Sequence, residues 1–378
     1  MNDEKKAVVV SGARPTGRLH LGNYWGTLKN WVELQSKFNC YFFVADWHAL
    51  TTGADKSENI SANTKEMVLD WMALGLDPAK CVFFRQSDVK EHAELALLLG
   101  MVTPISWLLR NPTFKDQLQE LHKQKYKGQE DKMKQAEGVT KQLAEAHGHD
   151  AGELALHSDM ATLGFLGYPV LQAADIMLYD AKFVPIGKDQ LPHLELSRDI
   201  ARRFNHMFGA PVLTEPEPLF TSSPVVPGID GRKMSKSYGN TIFLGEEPQD
   251  LEAKIKKMYT DPLKVKADSP GHPEGCVVCA FHKLYDKHDS PDWDARVRDC
   301  RDGKLGCGLC KKQLLERMEY YIGGFRVARK ALASSVDVDK ILADGAQKAR
   351  ATASAKMAAA SKAAGLIDNP FQGRVIRD

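Results

Sequence analysis

The stretch AVVVSGARPTGRLHLGNYWG, residues 7–26, decides the fold of this chain. Residues 7–11 form an apolar, β-branched run that is typical of a buried strand. Residues 12–17 contain glycine and proline, which indicates a turn. A helical pattern begins near Asn23 and continues through TLKNWVELQ. A strand, a glycine-containing turn and a helix in this order predict the beginning of an α/β domain.

The same alternation continues downstream. The runs CYFFVADWHAL (residues 40–50) and KCVFFRQS (80–87) predict two more strands, with an amphipathic helix around residues 57–76 between them. The pattern returns at residues 161–205. Strands that alternate with helices predict a parallel sheet with helices on both faces. Ligands of such sheets collect at the carboxyl ends of the strands. We therefore expect a catalytic α/β domain over residues 1–208.

Other segments of the chain have different compositions. Within the first domain, residues 115–157 are polar and helix-forming, which fits a solvated helical insertion and an RNA-facing one about equally. Residues 209–245 are rich in Pro, Gly and Ser and predict a linker loop. Helices dominate from there on and predict a helical domain over residues 246–338. We expect a C-terminal helix and tail, residues 339–378, to pack back on the catalytic domain.

Composition restricts the class of protein. The chain has 378 residues, of which 43% are hydrophobic and 26% charged, the mix of a soluble globular enzyme. No stretch approaches the roughly 18 uncharged apolar residues of a membrane span. The N-terminus has no apolar core of a signal sequence. We therefore expect a cytoplasmic protein with no membrane partner. The net charge of +2 neither supports nor excludes a nucleic-acid partner.

Two segments carry groups suited to phosphate. In SGARPTGRLHLGNYWG, residues 11–26, glycines let backbone amides approach an anion, and the following helix offers unpaired N–H groups. His20 and Asn23 add short donors, although such a turn alone is a weak signal. In GRKMSKSYGN, residues 231–240, Lys233 and Lys236 stand three apart beside small hydroxyl residues. They make either a mobile cationic clamp for a polyphosphate or an ordinary exposed charged loop.

Together these segments resemble the paired signatures of the class I aminoacyl-tRNA synthetases. KMSKS stands at residues 233–237, and HLGN at residues 20–23 resembles the HIGH motif with Asn in last position, as in the tyrosyl and tryptophanyl branch. The segments YPVLQAADIMLY (168–179), VPIGKDQLPHLELSRDIARRFN (184–205) and GNYWG (22–26) resemble the tryptophanyl enzymes of the bacterial type. This resemblance covers nearly the whole chain. It implies a Rossmann-like catalytic domain and a mainly helical domain that binds tRNA and its anticodon.

The resemblance also implies a role for each matching residue. Asp175 would accept the indole N–H, which fits because indole offers one donor and no acceptor. The rest of the tryptophan pocket would comprise His48, Gln172, Ile176, Val184, Ile186 and Gln190, of which the three aliphatic residues also fit an ordinary strand core. The ATP site would comprise Gly12, Arg14, Gly22, Asp189, Met234 and Ser235. The catalytic residues would be His20, Asn23, Lys233 and Lys236. Gln172 stands where many members carry Met, and Arg14 where many carry Gln.

The implied reaction is an attack by the carboxylate of L-tryptophan on the α-phosphate of ATP, with Mg²⁺ on the phosphates. The tryptophanyl group then passes from the adenylate to tRNA(Trp), and family members are homodimers. Three alternatives remain at this stage. They are a tyrosyl-tRNA synthetase, a non-catalytic RNA-binding paralogue, and a nucleotidyltransferase without a tRNA partner. Intact HLGN and KMSKS motifs count against the paralogue, and the long helical half counts against the nucleotidyltransferase.

Five of the seven cysteines lie in one short window, which in a reducing compartment indicates metal ligation before disulfides. Cys40 and Cys81 stand alone in apolar runs and are expected to be buried and inert. Two C-x2-C pairs, Cys276/Cys279 and Cys307/Cys310, would make zinc knuckles and leave Cys300 over. Alternatively, a [4Fe–4S] cluster would be held by Cys276, Cys300, Cys307 and Cys310, a set that resembles a subset of the tryptophanyl enzymes. The spacing between Cys276 and Cys300 is one residue longer than in that subset. Cys279 would be the spare thiol.

Overall fold

Five parallel strands form one sheet in the order β3-β2-β1-β4-β5. The structure is a computed structural model that describes residues 6–110, 162–220, 225–285 and 291–366. The strands are β1 Val8–Ala13, β2 Asn39–Val44, β3 Cys81–Arg85, β4 Phe183–Ile186 and β5 Glu217–Phe220. The order changes direction between β1 and β4, which in doubly wound sheets is where a ligand crevice opens.

Helices cover both faces of this sheet and continue beyond it. Those of the first half are α1 Leu21–Asn23, α2 Lys29–Leu34, α3 Asp46–Gly53, α4 Ile60–Ala73, α5 Glu91–Val102 and α6 Ile105–Arg110. A π-helical turn, Tyr24–Leu28, joins α1 to α2. The remaining helices are α7 Leu163–Met177, α8 Leu191–Phe208, α9 Pro248–Lys257, α10 Val277–Tyr285, α11 Pro291–Arg301, α12 Cys307–Ser335 and α13 Val338–Ala363.

Successive residues of the central strands alternate between two cores. Val9 and Phe42 face one cluster of buried side chains, while Val10 and Phe43 face the other. This alternation buries both faces, which explains why the strands appear in the sequence as unbroken apolar runs. On the first face, Trp31 of α2 stacks on Phe42 with ring centroids 4.4 Å apart. The α/β sheet and the helical C-terminal region predicted from the sequence are confirmed.

The last helix, α13, lies against the edge strand β3. Its stripe of small residues includes Ala346, Ala349 and Ala353, all buried. At Gly345 the approach is so close that a Cβ atom would overlap the carbonyl oxygen of Phe83. A helix over the outermost strand protects it from pairing with another chain.

One stretch differs from expectation. Residues 209–245 are predicted to be a linker loop, yet β5 lies within them and completes the sheet. The strand has only four residues, EPLF, and its proline makes the segment resemble a loop in the sequence. An edge strand tolerates Pro218 because one side of its backbone needs no partner strand. The predicted insertion at residues 115–157 and the tail after residue 366 lie outside the described residues. Within the described part, no helix is long and apolar enough to cross a membrane.

Candidate active site

Seven of the predicted site residues follow the carboxyl ends of β1, β2 and β4, and Gln86, which was not predicted, follows that of β3. β1 leads into the glycine-containing turn and HLGN, and β2 leads into His48 of α3. β3 ends directly before Gln86, and β4 is followed by a short helical turn, Lys188–Gln190, which holds Asp189. Because the strands are parallel, these four ends meet at one edge of the sheet.

The HLGN segment is joined to the chain that follows KMSKS. The backbone N–H of Leu21 donates to the carbonyl of Ile242 at 2.9 Å, and that of Leu244 donates to Leu19 at 3.0 Å. His20 itself precedes the first turn of α1, where its backbone N–H donates to Oδ1 of Asn23 at 3.0 Å. These bonds bring the two motifs together, although about 210 residues of sequence separate them.

The imidazole of His20 is held neutral. Burial lowers its pKa to about 4, and the nearby positive charge of Lys236 acts in the same direction. Its Nδ1 atom has no hydrogen-bond partner among the described residues. Gly22 makes room for the ring, because a Cβ atom there would lie 2.9 Å from it. A neutral imidazole at the N-terminal end of α1 can donate to a phosphate oxygen without changing the charge of the site.

The two lysines of KMSKS have different surroundings. The ammonium of Lys236 donates to the carbonyl of Thr16 at 2.9 Å, in the turn after β1, and burial lowers its pKa. Lys233 is exposed. Met234 between them is buried in the core. Lys236 therefore already lies over the turn that is expected to take phosphate.

Asn240, which sequence reasoning did not single out, braces the KMSKS loop. Its Oδ1 accepts from the backbone N–H of Ser235 at 2.9 Å, and its Nδ2 donates to Asp230 at 2.8 Å and to the carbonyl of Lys233 at 3.2 Å. The hydroxyls of Ser235 and Ser237 are 2.8 Å apart. A buried amide with three local partners gives this loop a defined shape. The sequence signal that could have identified Asn240 is its position at the end of the segment GRKMSKSYGN.

Two other residues predicted to face ATP lie at the end of β1. Gly12 pairs in register with Phe43 of β2. Arg14 donates from Nη1 to the hydroxyl of Thr52 at 3.2 Å. Both lie on the path between β1 and HLGN, where the sheet order changes direction.

Asp175 is the most buried charged group of the site. It lies on α7 with 2% of its surface exposed. His48 contacts its Oδ2 at 2.9 Å, whereas Gln86 and His92 contact its Oδ1 at 2.7 and 2.6 Å. Burial alone would raise its pKa, but the hydrogen bonds from His48 and His92 hold the pKa below its ordinary value. The site thus contains a buried carboxylate that stays ionised.

Sequence reasoning missed Gln86 and His92. Gln86 follows a predicted strand, so its position at the carboxyl edge of the sheet was a usable signal. His92 offered none, because a lone histidine at the start of a helix is common. Oε1 of Gln86 has no hydrogen-bond partner in the part of the chain that the structure describes.

A second polar chain ends at Tyr168, whose ring lies edge-on to that of His48 with centroids 6.5 Å apart. Oε1 of Gln190 is 3.0 Å from Nδ1 of His193, whose Nε2 is 2.5 Å from the hydroxyl of Tyr168. On α7, Gln172 is half-buried and stands three residues before Asp175, on the same side of the helix. The predicted apolar walls are all buried in the core on one face of the sheet, namely Ile176, Val184 and Ile186.

Cys40 and Cys81 behave as expected. Both are buried, and burial raises the pKa of each thiol to about 12. A thiol with such a pKa carries no thiolate at neutral pH and is a poor nucleophile and ligand.

The other five cysteines converge from three helices. Cys276 directly precedes α10, and Cys279 lies in its first turn. Cys300 lies near the end of α11, and Cys307 and Cys310 lie in the first turn of α12. The thiol of Cys279 lies within hydrogen-bonding reach of both Cys276 and Cys310, and donation from it lowers the pKa of each of them. Cys279, expected to be the spare, therefore lies between two of the predicted ligands.

The remaining two thiols of this set are half-buried. Burial raises the pKa of Cys300 and of Cys307, and the positive charge of Lys264 opposes the rise in both. Five interacting thiols beside a cation are suitable donors for a thiolate-bound metal. Within residues 6–110, 162–220, 225–285 and 291–366, however, no three Cys, His, Asp or Glu side chains stand as a group that could hold a metal ion. The donor chemistry fits, and a closed metal geometry is not preformed.

Comparison with known proteins gives consistent matches. The family described as tRNA synthetases class I (W and Y) matches residues 1–321. The tryptophan–tRNA ligase of Aquifex aeolicus is 44% identical over 95% of this chain and 99% of its own, and that of Thermotoga maritima is 41% identical over 95% and 99%. The crystal structure of tryptophanyl-tRNA synthetase from Campylobacter jejuni complexed with ADP and tryptophan aligns with a TM-score of 0.75 and 33% identity. It covers 95% of this chain and 100% of that one.

Proposed function

The chain belongs to the class I tRNA synthetases of the tryptophan and tyrosine family, and from that premise we propose that it is a tryptophan–tRNA ligase. It activates L-tryptophan with ATP, releasing pyrophosphate, and transfers the tryptophanyl group from the adenylate to tRNA(Trp). The single structural observation that carries recognition of a ring donor is Asp175, a buried carboxylate that stays ionised. Tryptophan offers such a group one ring donor.

The pocket around Asp175 suits an indole. Its apolar side is formed by Ile176, Val184 and Ile186, which are buried together. A site that depends on a hydrogen bond from the substrate rejects analogues that lack the donor, because the buried acceptor is then left unpaired. Phenylalanine is rejected in this way. Tyrosine remains the alternative substrate, and the named relatives at 44% and 41% identity favour tryptophan over it.

Activation requires little covalent chemistry from the protein. An oxygen of the tryptophan carboxylate forms a bond to the α-phosphorus of ATP as the bond to pyrophosphate breaks. The turn after β1, the neutral His20 and the N-terminal end of α1 hold the phosphates, with Gly12, Arg14, Gly22 and Asp189 around the nucleotide. Lys236 and Lys233 stabilise the charge that develops on pyrophosphate. ATP enters as its Mg²⁺ complex, in which the ion is bound mainly by phosphate oxygens.

Amino-acid-dependent ATP–pyrophosphate exchange, measured with all twenty amino acids, tests this function. We expect exchange with tryptophan alone. Asp175→Ala should raise the free energy of the activation transition state for tryptophan by about 2–4 kcal/mol, as expected for the loss of a buried, charge-assisted hydrogen bond. Asp199→Ala, on an exposed position of α8, is the control and should exchange normally. Exchange with tyrosine and not with tryptophan would reject the proposal, and exchange with no amino acid would favour a non-catalytic paralogue.

Assignments beyond the catalytic domain belong to the same proposal. The helical domain, residues 246–338, contacts the anticodon of tRNA(Trp), and charging takes place in the cytoplasm, where the protein meets its tRNA. A second copy of the chain covers an apolar patch on α5, α6 and the start of α7, each member of which is more than half exposed: Leu97, Met101, Ile105 and Leu163. Such a patch on helices of one protein surface is typical of an interface. Sedimentation should show a dimer that Met101→Asp converts to a monomer.

We propose that the clustered cysteines bind a [4Fe–4S] cluster, with Cys276, Cys300, Cys307 and Cys310 as its ligands. The cluster would have a structural role. It would hold together the ends of three helices that lie far along the chain from HLGN. Zinc is the alternative, since four thiolates satisfy either group. Support comes from the donor chemistry of the thiols, since Cys276, Cys300, Cys307 and Cys310 lie near enough for their charges to interact.

Anaerobic purification tests the metal assignment. The protein should be brown, with absorbance near 400 nm and about four irons per chain. Cys300→Ser should lose iron, and should lose tRNA charging more than tryptophan activation. Cys40→Ser, at a buried thiol outside the group, should keep its iron. Colourless protein with one zinc per chain would reject the cluster, as would full iron loading in Cys300→Ser.

A further inference from the structure

The carboxylate of Asp175 has one acceptor position that no residue described by the structure fills. An ionised carboxylate offers about four lone-pair positions, two on each oxygen. Among the described residues, Gln86 and His92 occupy both positions on Oδ1, and His48 occupies one on Oδ2. Gln86 and His92 are fully buried, whereas 13% of the His48 side chain is exposed. The free position is therefore on Oδ2, beside the only one of the three donors that reaches the surface.

His92 can hold Oδ1 only in one tautomer. Its Nδ1 is 2.6 Å from Asp175, which as a carboxylate only accepts, so Nδ1 must carry the proton. Its Nε2 is 2.7 Å from the hydroxyl of Tyr179. A neutral imidazole with its proton on Nδ1 has a lone pair on Nε2. The hydroxyl of Tyr179 donates to that lone pair, since burial raises the pKa of Tyr179 well above its ordinary value and keeps the hydroxyl protonated. The bonds run in one direction, from Tyr179 to His92 and from His92 to Asp175.

The tyrosine is itself fixed in place. Tyr179 is 1% exposed, and its ring stacks on that of Tyr41 with centroids 4.7 Å apart. Because the ring cannot turn away, its hydroxyl stays at Nε2. Without that hydroxyl, His92 could adopt the other tautomer, which would turn a lone pair of Nδ1 toward the carboxylate and repel it.

We propose that His92 and Tyr179 are positioning residues for tryptophan: Tyr179 fixes the tautomer of His92, and His92 orients Asp175 so that Oδ2 presents its free acceptor position to the indole N–H. Neither residue touches the substrate in this arrangement. The role rests on the proposed function, since it takes tryptophan as the substrate. It predicts that both residues act on recognition of the ring N–H and on no other part of the amino acid.

A pair of substrates separates this role from a merely structural one. L-Tryptophan and L-3-(benzothien-3-yl)alanine have similar shapes, but in the second a sulfur replaces the ring N–H. The experiment measures kcat/KM of the full-length protein for each in pyrophosphate exchange and compares the ratio. Tyr179→Phe should lower the ratio about tenfold through a raised KM for tryptophan, the effect expected of one hydrogen bond to a charged group. The values for the analogue should not change.

Three further variants complete the test. His92→Leu should lower the ratio at least as much as Tyr179→Phe. His92→Asn should retain most of it, because an asparagine amide can donate from the position of Nδ1. Tyr41→Phe is the matched control: it removes a buried hydroxyl from the ring stacked on Tyr179, but that hydroxyl contacts Thr352 of α13 at 3.2 Å. Its ratio should equal that of the unmodified protein.

The outcomes are distinguishable. If Tyr179→Phe and His92→Asn reduce kcat/KM equally for both substrates, the pair only stabilises the fold and the inference is wrong, while the proposed function stands. If the unmodified protein activates tryptophan without preferring it to the analogue, the role of Oδ2 and the inference both fail. If tryptophan supports no exchange at all, the proposed function itself is wrong. Thermal unfolding of each variant identifies any that does not fold. If Tyr179→Phe does not fold, the ratio of His92→Leu decides, with His92→Asn as its rescue.

Discussion

Individual side chains at the carboxyl edge of the sheet differ most in how their charge is controlled. Lys236 is tied to the carbonyl of Thr16 and has a lowered pKa, His20 is kept neutral by burial, and Asp175 is kept ionised by its donors. The same burial therefore gives one neutral group and one charged group within one site. Whether a buried group is neutral or charged depends on its hydrogen-bond partners, and the packing of the fold determines which partners it has.

Lys236→Ala should lower kcat for tryptophan activation about 10²-fold or more, because a charge that stabilises the departing pyrophosphate acts chiefly in the transition state. KM for tryptophan should change little. Pyrophosphate-exchange kinetics check this, with Lys257→Ala, an exposed lysine of α9, as the control. A near-normal kcat with only a raised tryptophan KM would contradict the role.

His20 should make the fold less stable in mild acid. Its folded pKa of about 4 lies below the unfolded value of 6.5. Between these values the unfolded chain binds a proton that the folded chain does not, so stability falls as the pH drops from 6.5 toward 4. Urea unfolding at pH 7 and pH 4.5 should show a smaller pH dependence in His20→Gln than in the unmodified protein. His206→Gln, at an exposed position, should leave the dependence as it is.

At the scale of the element, contact between α13 and β3 depends on one missing side chain. A Cβ atom at Gly345 would overlap the carbonyl of Phe83, so Gly345→Ala must push the helix off the strand. We expect a loss of about 1–3 kcal/mol in the free energy of unfolding, the usual effect of overpacking. Gly324→Ala on α12 has nothing within 4 Å of the new Cβ atom and should stabilise by about 1 kcal/mol through helix propensity. Urea unfolding curves give both numbers, and equal effects would show that contact with β3 is not the cause.

At the scale of the whole molecule, Arg329 of the long helix α12 forms ion pairs with two carboxylates of the catalytic domain. Arg329 contacts Asp70 of α4 at 2.5 Å and also reaches Glu66. Asp70 is buried, which raises its pKa, and it also accepts a hydrogen bond from the backbone of Leu19, next to His20. The carboxylate thus contacts both the helical region and the turn before HLGN.

Arg329→Met should destabilise the protein by about 3 kcal/mol at neutral pH, because it leaves a buried carboxylate unpaired. Since the folded state then favours the protonated carboxyl, part of the loss should return as the pH falls. Lys65→Met breaks an exposed pair with Asp339 between α4 and α13 and should cost less than about 1 kcal/mol. Urea unfolding at pH 7 and pH 5.5 measures both. If the two variants lose equal free energies of unfolding at both pH values, the ion pair with Arg329 does not stabilise the buried carboxylate of Asp70.

The sequence by itself determined the local features and the family. Unbroken apolar runs predict β1, β2 and β3 because a strand buried on both faces has no polar side. HLGN and KMSKS are recognisable because a phosphate site uses residues that are close together in the chain. The α/β fold and membership of the synthetase family followed from these short signals, and both are confirmed.

Only the tertiary structure decided which distant residues meet. Gln86 and His92 reach Asp175 from the end of β3 and from α5, and no spacing in the sequence records that approach. Cys279 lies between two predicted ligands because α10 and α12 pack together, whereas its sequence position marked it as the spare thiol. Residues 217–220 form the strand β5 because they pair with the free edge of β4. In each case the deciding interaction joins segments far apart in the chain, and the packing of the core alone sets their distance.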